Sequence, residues 1–128
     1  MKIEHIAFQV AHPAAMADWY VKHLGFCERR SSDEPVVVRF MADVSGGVML
    51  EVYHNPKVPV PDYAAMEPAQ MHVAFVCDDL PGTIERLMAA GASLVNGPEI
   101  LGEDELAMLR DPWGLALQLA KRKRPMIR

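Results

Sequence analysis

Two stretches of the chain repeat one another by residue type: Glu4-His5-Ile6-Ala7-Phe8-Gln9-Val10 near the start, and Met71-His72-Val73-Ala74-Phe75-Val76-Cys77 past the middle. A second echo sets Val48-Met49-Leu50-Glu51-Val52-Tyr53 against Leu115-Ala116-Leu117-Gln118-Leu119-Ala120. Positions 72 minus 5 and 118 minus 51 both give 67. Two separate pairs with one offset indicate an internal duplication of a supersecondary unit. The second half of the chain is therefore expected to repeat the element order of the first.

That order is legible in the first half. From Ile3 to Val10 the residues alternate, with Ile6, Phe8 and Val10 on one face and His5, Ala7 and Gln9 on the other, the period of a half-buried strand. Pro13 suits a first helical turn, Met16, Trp19, Tyr20, His23 and Leu24 follow at helical spacing, and Gly25 closes the helix. Strands are expected over residues 27–30, 36–41 and 48–53, with a turn at Gly46-Gly47.

The second half gives a strand over 71–77, a helix to Ala90 stopped by Gly91, a strand over 92–96, a turn at Gly97-Pro98, and strands over 106–110 and 115–120. The fold class is thus α+β, with two tandem βαβββ modules forming a cup-shaped, partly open eight-stranded sheet. The expected organisation is one domain over residues 1–128, made of a module 1–54, a connection 55–70 and a module 71–128. In that connection Pro56, Pro59, Pro61 and Pro68 cannot donate to a ladder, so it reads as a long loop. Loops of such length in compact domains are commonly functional, and Tyr63 and Met66 are placed to cover an opening.

Bulk properties narrow the partners. A length of 128 residues suits one compact domain, and a net charge of -4 gives no reason to expect nucleic acid. Lys121-Arg122-Lys123-Arg124 reads as a solvated terminus. Lys2, Glu4 and His5 stand where a signal peptide needs an apolar core, and no run of eighteen apolar residues occurs, so neither export nor a membrane span is expected. Cys27 and Cys77 show no CxxC or CxxH spacing, which predicts neither a disulfide framework nor a thiolate zinc site, and a reduced, cytoplasmic setting.

On each of the four echoed strands one polar residue lies on the face that otherwise holds small or neutral side chains. His5 stands beside Ala7, His72 beside Ala74, Gln118 beside Ala116 and Ala120, and Glu51 beside Met49 and Tyr53. Two imidazoles, a carboxylate and an amide oxygen suit a divalent metal such as Ni, Co, Zn, Mn or Fe, with positions left for water or substrate. Each residue taken singly has a plainer structural reading; the shared offset sets these four apart. His12, His23 and His54 lack that offset.

The sequence at this point resembles the vicinal oxygen chelate superfamily, which includes glyoxalase I, epimerases, extradiol dioxygenases and bleomycin resistance proteins. The resemblance runs over nearly the whole chain. It is carried by His5-Ile6-Ala7, Trp19-Tyr20-Val21-Lys22-His23-Leu24-Gly25-Phe26, Glu51, His72-Val73-Ala74-Phe75 and Asp111-Pro112-Trp113-Gly114. The arrangement is most similar to bacterial glyoxalase I, whose metal ligands would fall on His5, Glu51, His72 and position 118, with Asn55 matching a glutathione contact. Gln118 departs from the Glu of that enzyme, and Gln9 from its substrate-binding Arg.

The resemblance implies a metal-dependent lyase or isomerase acting on a small molecule, with Glu51 as the proton-transferring residue and a homodimer as its assembly. Gln9, Arg39, Tyr53 and Asn55 are the candidate substrate-binding residues. Arg39 and Tyr53 enter on strand parity, for an anionic or hydroxyl group of the substrate. The alternatives are a small-molecule binding protein of the resistance type that needs no metal, an epimerase, and an Fe(II) dioxygenase held by His5, His72 and Glu51.

Overall fold

The computed structural model describes residues 1–127, which form two compact units divided between Pro61 and Asp62. In the first unit the order is β1 (His5–Gln9), α1 (Pro13–Leu24), β2 (Cys27–Ser32), β3 (Val37–Ala42) and β4 (Met49–His54). The second holds a single 3-10 turn (Tyr63–Ala65), then β5 (Val73–Val76), α2 (Leu80–Ala89), β6 (Ser93–Leu101), β7 (Asp104–Arg110) and β8 (Ala116–Lys121). Two tandem βαβββ modules are therefore present, and their eight strands fall into two four-stranded sheets.

The sheets have the same topology, β1-β4-β3-β2 and β5-β8-β7-β6, with the first pair of each parallel and the rest antiparallel. The register repeats as well. Ala7 faces Glu51 and Phe8 faces Val52 in one sheet; Ala74 faces Gln118 and Phe75 faces Leu119 in the other. The offset of 67 is thus a pairing offset as well as a sequence offset. It slips by one on the next strand, where Phe40 faces Glu51 but Met108 faces Gln118. The cause is the connection after β3, residues 43–48, which is one residue longer than the connection after β7, residues 111–115.

In the first module α1 begins on Pro13, where a missing N–H costs nothing, and stops at Gly25, whose φ of 74° is the left-handed region that favours glycine. Its Met16, Ala17 and Tyr20 are buried as the helix packs on β3 and β4, whose Met41, Leu50 and Val52 are buried too. Burying a side chain such as Met16 or Leu50 contributes about 1.5–3 kcal/mol. Ile6, although of the same parity as Phe8, stays 50% exposed, because α1 lies chiefly over the inner strands and β1 is an edge. In the second module Asp79 caps α2 by accepting from the Gly82 N–H, and Leu80, Ile84 and Leu87 are its buried face.

Two expectations are corrected. Gly97-Pro98 is not a turn: β6 runs on to Leu101, and the hairpin turns at Gly102-Glu103. Proline is tolerated there because β6 is an edge strand and its register shifts between Asn96 and Glu99. The proline-rich connection is not wholly irregular either. Tyr63 is 8% exposed within the 3-10 turn, so it is a core residue and not a cover. Arg110 holds that turn by donating to the carbonyls of Tyr63 (3.0 Å) and Met66 (2.7 Å), and to Gly114 (3.0 Å).

Candidate functional site

Residues directly opposed across a ladder share a face, so register assigns each polar group its neighbours. On the first sheet His5 precedes Ala7 by two residues, and Ala7 faces Glu51, which places His5 and Glu51 on one face as diagonal neighbours. Their side chains meet: His5 Nε2 lies 3.4 Å from Glu51 Oε2. The other ring nitrogen, Nδ1, is 2.9 Å from the Glu4 carboxylate. A carboxylate accepts, so Nδ1 carries the proton and, in the neutral ring, Nε2 presents a lone pair to a second carboxylate.

Two lone pairs facing each other repel unless a proton or a cation sits between them. Donor atoms bound to one divalent ion at about 2.1 Å are themselves roughly 3–3.5 Å apart, which the His5 and Glu51 separation satisfies. The pair thus has room for a shared cation, and equally for a protonated His5 that bridges Glu4 and Glu51. Phe40 faces Glu51 and turns its ring edge-on to His5, with centroids 5.4 Å apart and planes at 88°. Tyr53, two residues after Glu51, completes an aromatic and apolar wall on the same face.

The second sheet repeats the placement with other chemistry. His72 stands two residues before Ala74, and Ala74 faces Gln118. His72 Nδ1 lies 2.8 Å from the Pro68 carbonyl, an acceptor, which again puts the proton on Nδ1 and leaves Nε2 as a lone-pair donor. Metal-binding histidines are commonly oriented by such a bond on the second nitrogen. Among the described residues no group of three or more His, Cys, Asp or Glu side chains is placed to hold a metal ion. The geometry brings His5 and Glu51 together as a pair in their own module.

The candidate substrate-binding residues divide. Tyr53 shares the Glu51 face, whereas Arg39 does not: it faces Val52, on the side that α1 covers. Strand parity was misjudged because Phe40, not Arg39, is the residue opposite Glu51. Arg39 is also committed to Asp33 (2.8 Å), to Glu28 (3.7 Å) and to the carbonyls of Ser32 and Val38.

Gln9 is 7% exposed, and its amide closes the segment after β4. Nε2 donates to the carbonyls of Asn55 (2.7 Å) and Val58 (2.8 Å), while Oε1 accepts from the Asn55 N–H (2.8 Å). Asn55 Oδ1 in turn accepts from the Lys57 N–H (3.0 Å), an Asx turn. Both side chains therefore shape a loop.

Sequence reasoning missed Arg110, which shares the Gln118 face by facing Ala116 and donates its guanidinium protons to backbone carbonyls. Its only signal was its position directly before the Asp111-Pro112-Trp113-Gly114 turn. Cys77 is not an activated thiol. Burial pushes its pKa up; a hydrogen bond from Thr83 opposes this, and Asp78 and Asp79 reinforce it.

A sequence model described as the Glyoxalase/Bleomycin resistance protein/Dioxygenase superfamily matches residues 2–119. Similar solved structures include TnmS3, an antibiotic binding protein from Streptomyces sp. CB03234, at 18% identity and a TM-score of 0.74 over 96% of this chain and 97% of that one. A glyoxalase family protein from Enterococcus faecalis is 23% identical, with a TM-score of 0.71 over 94% and 97%. A mutant of glyoxalase I from Zea mays is 21% identical, with a TM-score of 0.76 over 96% of this chain but 46% of that longer one. At such identities the likeness is one of fold. No functionally curated protein shows significant sequence similarity to the chain.

Proposed function

The chain belongs to the Glyoxalase/Bleomycin resistance protein/Dioxygenase superfamily, and from that premise we propose that it is a divalent-metal-dependent lyase or isomerase of the glyoxalase I type. His5, Glu51, His72 and Gln118 are the residues that would hold the metal. The observation that carries the reading is the approach of His5 Nε2 to Glu51 Oε2 at 3.4 Å, with Nδ1 of the same ring held by Glu4. When bound, the metal supplies Lewis-acid polarisation of a substrate oxygen, worth several kcal/mol.

The chain's own residues supply the rest. Glu51 moves the proton at the carbon next to the polarised oxygen, because the amide at position 118 has no useful proton affinity. Its side chain is 18% exposed, which keeps it near substrate and away from bulk water. His5 and His72 are held in one tautomer by Glu4 and by the Pro68 carbonyl, so both present Nε2. Phe40 and Tyr53 give the substrate an apolar wall. The same reading takes a homodimer and a cytoplasmic setting, in keeping with two free thiols, Cys27 and Cys77.

The test is solvent deuterium exchange at the lactoyl α-carbon of S-lactoylglutathione, alongside metal content after chelator-free purification. Glu51→Gln is expected to lower exchange about 100-fold or more. Undiminished exchange removes Glu51 from the role. A second reading, a binding protein that works without metal, is favoured by the full-length likeness to an antibiotic binding protein and by Gln118 standing where glyoxalase I has a carboxylate. It predicts ligand affinity that survives exhaustive chelation.

A further inference from the structure

Arg39, Arg110 and Arg122 are half-buried arginines, and they differ in what meets the charge. Arg39 pairs with Asp33 and Glu28, and Arg122 with Asp104. Arg110 meets only the backbone carbonyls of Tyr63, Gly114 and Met66, and no carboxylate pairs with it among the described residues. The acids nearest to it in sequence are engaged elsewhere: Asp104 by Arg122, Glu105 by Lys121, and Asp111 by the N–H groups of Trp113 and Leu115. Carbonyl dipoles offset part of a half-buried unit charge, and an anion offsets the rest.

Holding the loop does not by itself call for charge. In the first unit the neutral amide of Gln9 does the same work through the carbonyls of Asn55 and Val58 and the Asn55 N–H. The cation at position 110 is therefore more than the clasp requires.

Donor arithmetic leaves Arg110 an unused edge. A guanidinium carries five N–H groups, and these three bonds draw on Nη1 and Nη2 alone, so at least two remain. Nε has no partner, and since no buried side-chain nitrogen lacks one among the described residues, Nε is open to solvent.

The surroundings suit a small acceptor. Arg110 faces Ala116, whose side chain is only a methyl group, and Gln118 stands two residues further along β8 on the same face. His72 precedes Val73, which faces Leu117, so it stands level with Ala116 on the other side. The Gln118 amide makes no hydrogen bond among the described residues, and its NH₂ donates whatever its oxygen meets. Diagonal neighbours lie about 7–8 Å apart, a gap that one carboxylate bridges between two donors.

We infer that Arg110 and the NH₂ of Gln118 form a binding site for a small monocarboxylate, over Ala116 on the second sheet. One guanidinium matches a single negative charge, which favours a carboxylate over a phosphate dianion. No metal takes part, so the site stands or falls separately from the proposed lyase or isomerase activity.

The experiment titrates the ¹⁵N-labelled full-length protein with propionate and, separately, with propionamide, which has the same size and no charge. Propionate is expected to shift the Arg110 Nε–H and Gln118 side-chain resonances. It should bind about three- to tenfold more tightly than propionamide, by a margin that shrinks as salt rises. Arg110→Gln removes the charge and keeps a clasp of the Gln9 kind; it is expected to bring the two affinities within about a factor of two. Gln118→Leu leaves the clasp untouched and is expected to weaken propionate about twofold or more while the preference for the anion remains. Equal affinities in the parent protein overturn the site, as does a propionate titration that leaves both side-chain resonances in place. A preference that survives in folded Arg110→Gln overturns it too. Should Arg110→Gln not fold, the parent resonances and Gln118→Leu decide. Inorganic phosphate binding more tightly than propionate overturns the carboxylate class.

Discussion

The parallel strand pairs β1 with β4 and β5 with β8 are the same construction used twice with different contents. Each sets a histidine two residues before an alanine, and each alanine faces a polar residue on the partner strand. In the first pair that residue is a carboxylate; in the second it is an amide. Each histidine is oriented through Nδ1, but by a carboxylate, Glu4, in one case and by a backbone carbonyl, that of Pro68, in the other. Backbone register and the hydrogen-bonded ring nitrogen are thus matched in the two modules, while charge differs: only the first pair contains a carboxylate. The loops show the same divergence. Gln9 ties down the segment after β4 from an edge strand, while Arg110, on an inner strand, ties down the segment before β5.

The sharpest contrast between equivalent positions is at Gly114 and Gly47, 67 residues apart. Gly114 has φ +93°, and a Cβ there would lie 2.7 Å from the Cβ and 2.8 Å from the N of Ala64. Left-handed strain and overpacking each cost about 1–3 kcal/mol, so Gly114→Ala should destabilise by about 3 kcal/mol or more. Gly47 has neither a positive φ nor a backbone neighbour, only the Ser45 Oγ at 3.2 Å, and Gly47→Ala should change stability by less than about 1 kcal/mol. Urea unfolding of both variants checks this, and equal costs would break the asymmetry.

The next pair is Gln9 and Val76, again 67 apart. Gln9→Ala leaves the Asn55 N–H and the Val58 carbonyl without the amide they share, while the Asn55 carbonyl keeps the Val58 N–H, and should cost about 1–3 kcal/mol. Val76 is 65% exposed, so Val76→Ala should cost less than about 0.5 kcal/mol. A small loss for Gln9→Ala in the same assay would mean that water replaces the amide.

Much of this frame was legible in the sequence. The echoed strands carry the offset of 67, the βαβββ order and the placing of His5 and Glu51 on the small-residue faces of their strands, because strand parity and side-chain type survive a common displacement. Parity failed one strand further in. The connections after β3 and β7 differ by one residue, and a slip of one sends every side chain to the other face. Arg39 was assigned to the wrong face because alternation along β3 does not say whether Arg39 or Phe40 stands opposite Glu51. Gly97-Pro98 misled because a proline at an irregular edge and a proline in a turn look alike in one dimension. The clasps of Gln9 and Arg110 were hidden for another reason: their partners are carbonyls, and every residue has one.

Replacing Gln118 by Glu sharpens the chemical side of the comparison, since it gives the second strand pair the carboxylate of the first. Metal affinity, measured by competition with a chromophoric chelator, should rise about tenfold, or ~1.4 kcal/mol. An unchanged affinity would mean that position 118 does not touch the metal.

The smallest effect is electrostatic. Asp104, at the start of β7, accepts from the Arg122 guanidinium at 2.8 Å and from the Lys123 N–H at 2.9 Å, and these bonds hold its pKa below the ordinary carboxylate value. Its counterpart in the first module, one strand slip away at 104 minus 68, is Val36, which does not titrate. A carboxyl whose folded pKa is depressed contributes stability that is fully present above its unfolded value and is lost as pH falls through the folded one. The urea midpoint of the parent chain should therefore exceed that of Asp104→Asn at pH 7, and the gap should narrow below about pH 4. A gap that stays constant down to the lowest pH at which the chain remains folded would show that the substitution acts through the shape of the β8 end and not through the charge of Asp104.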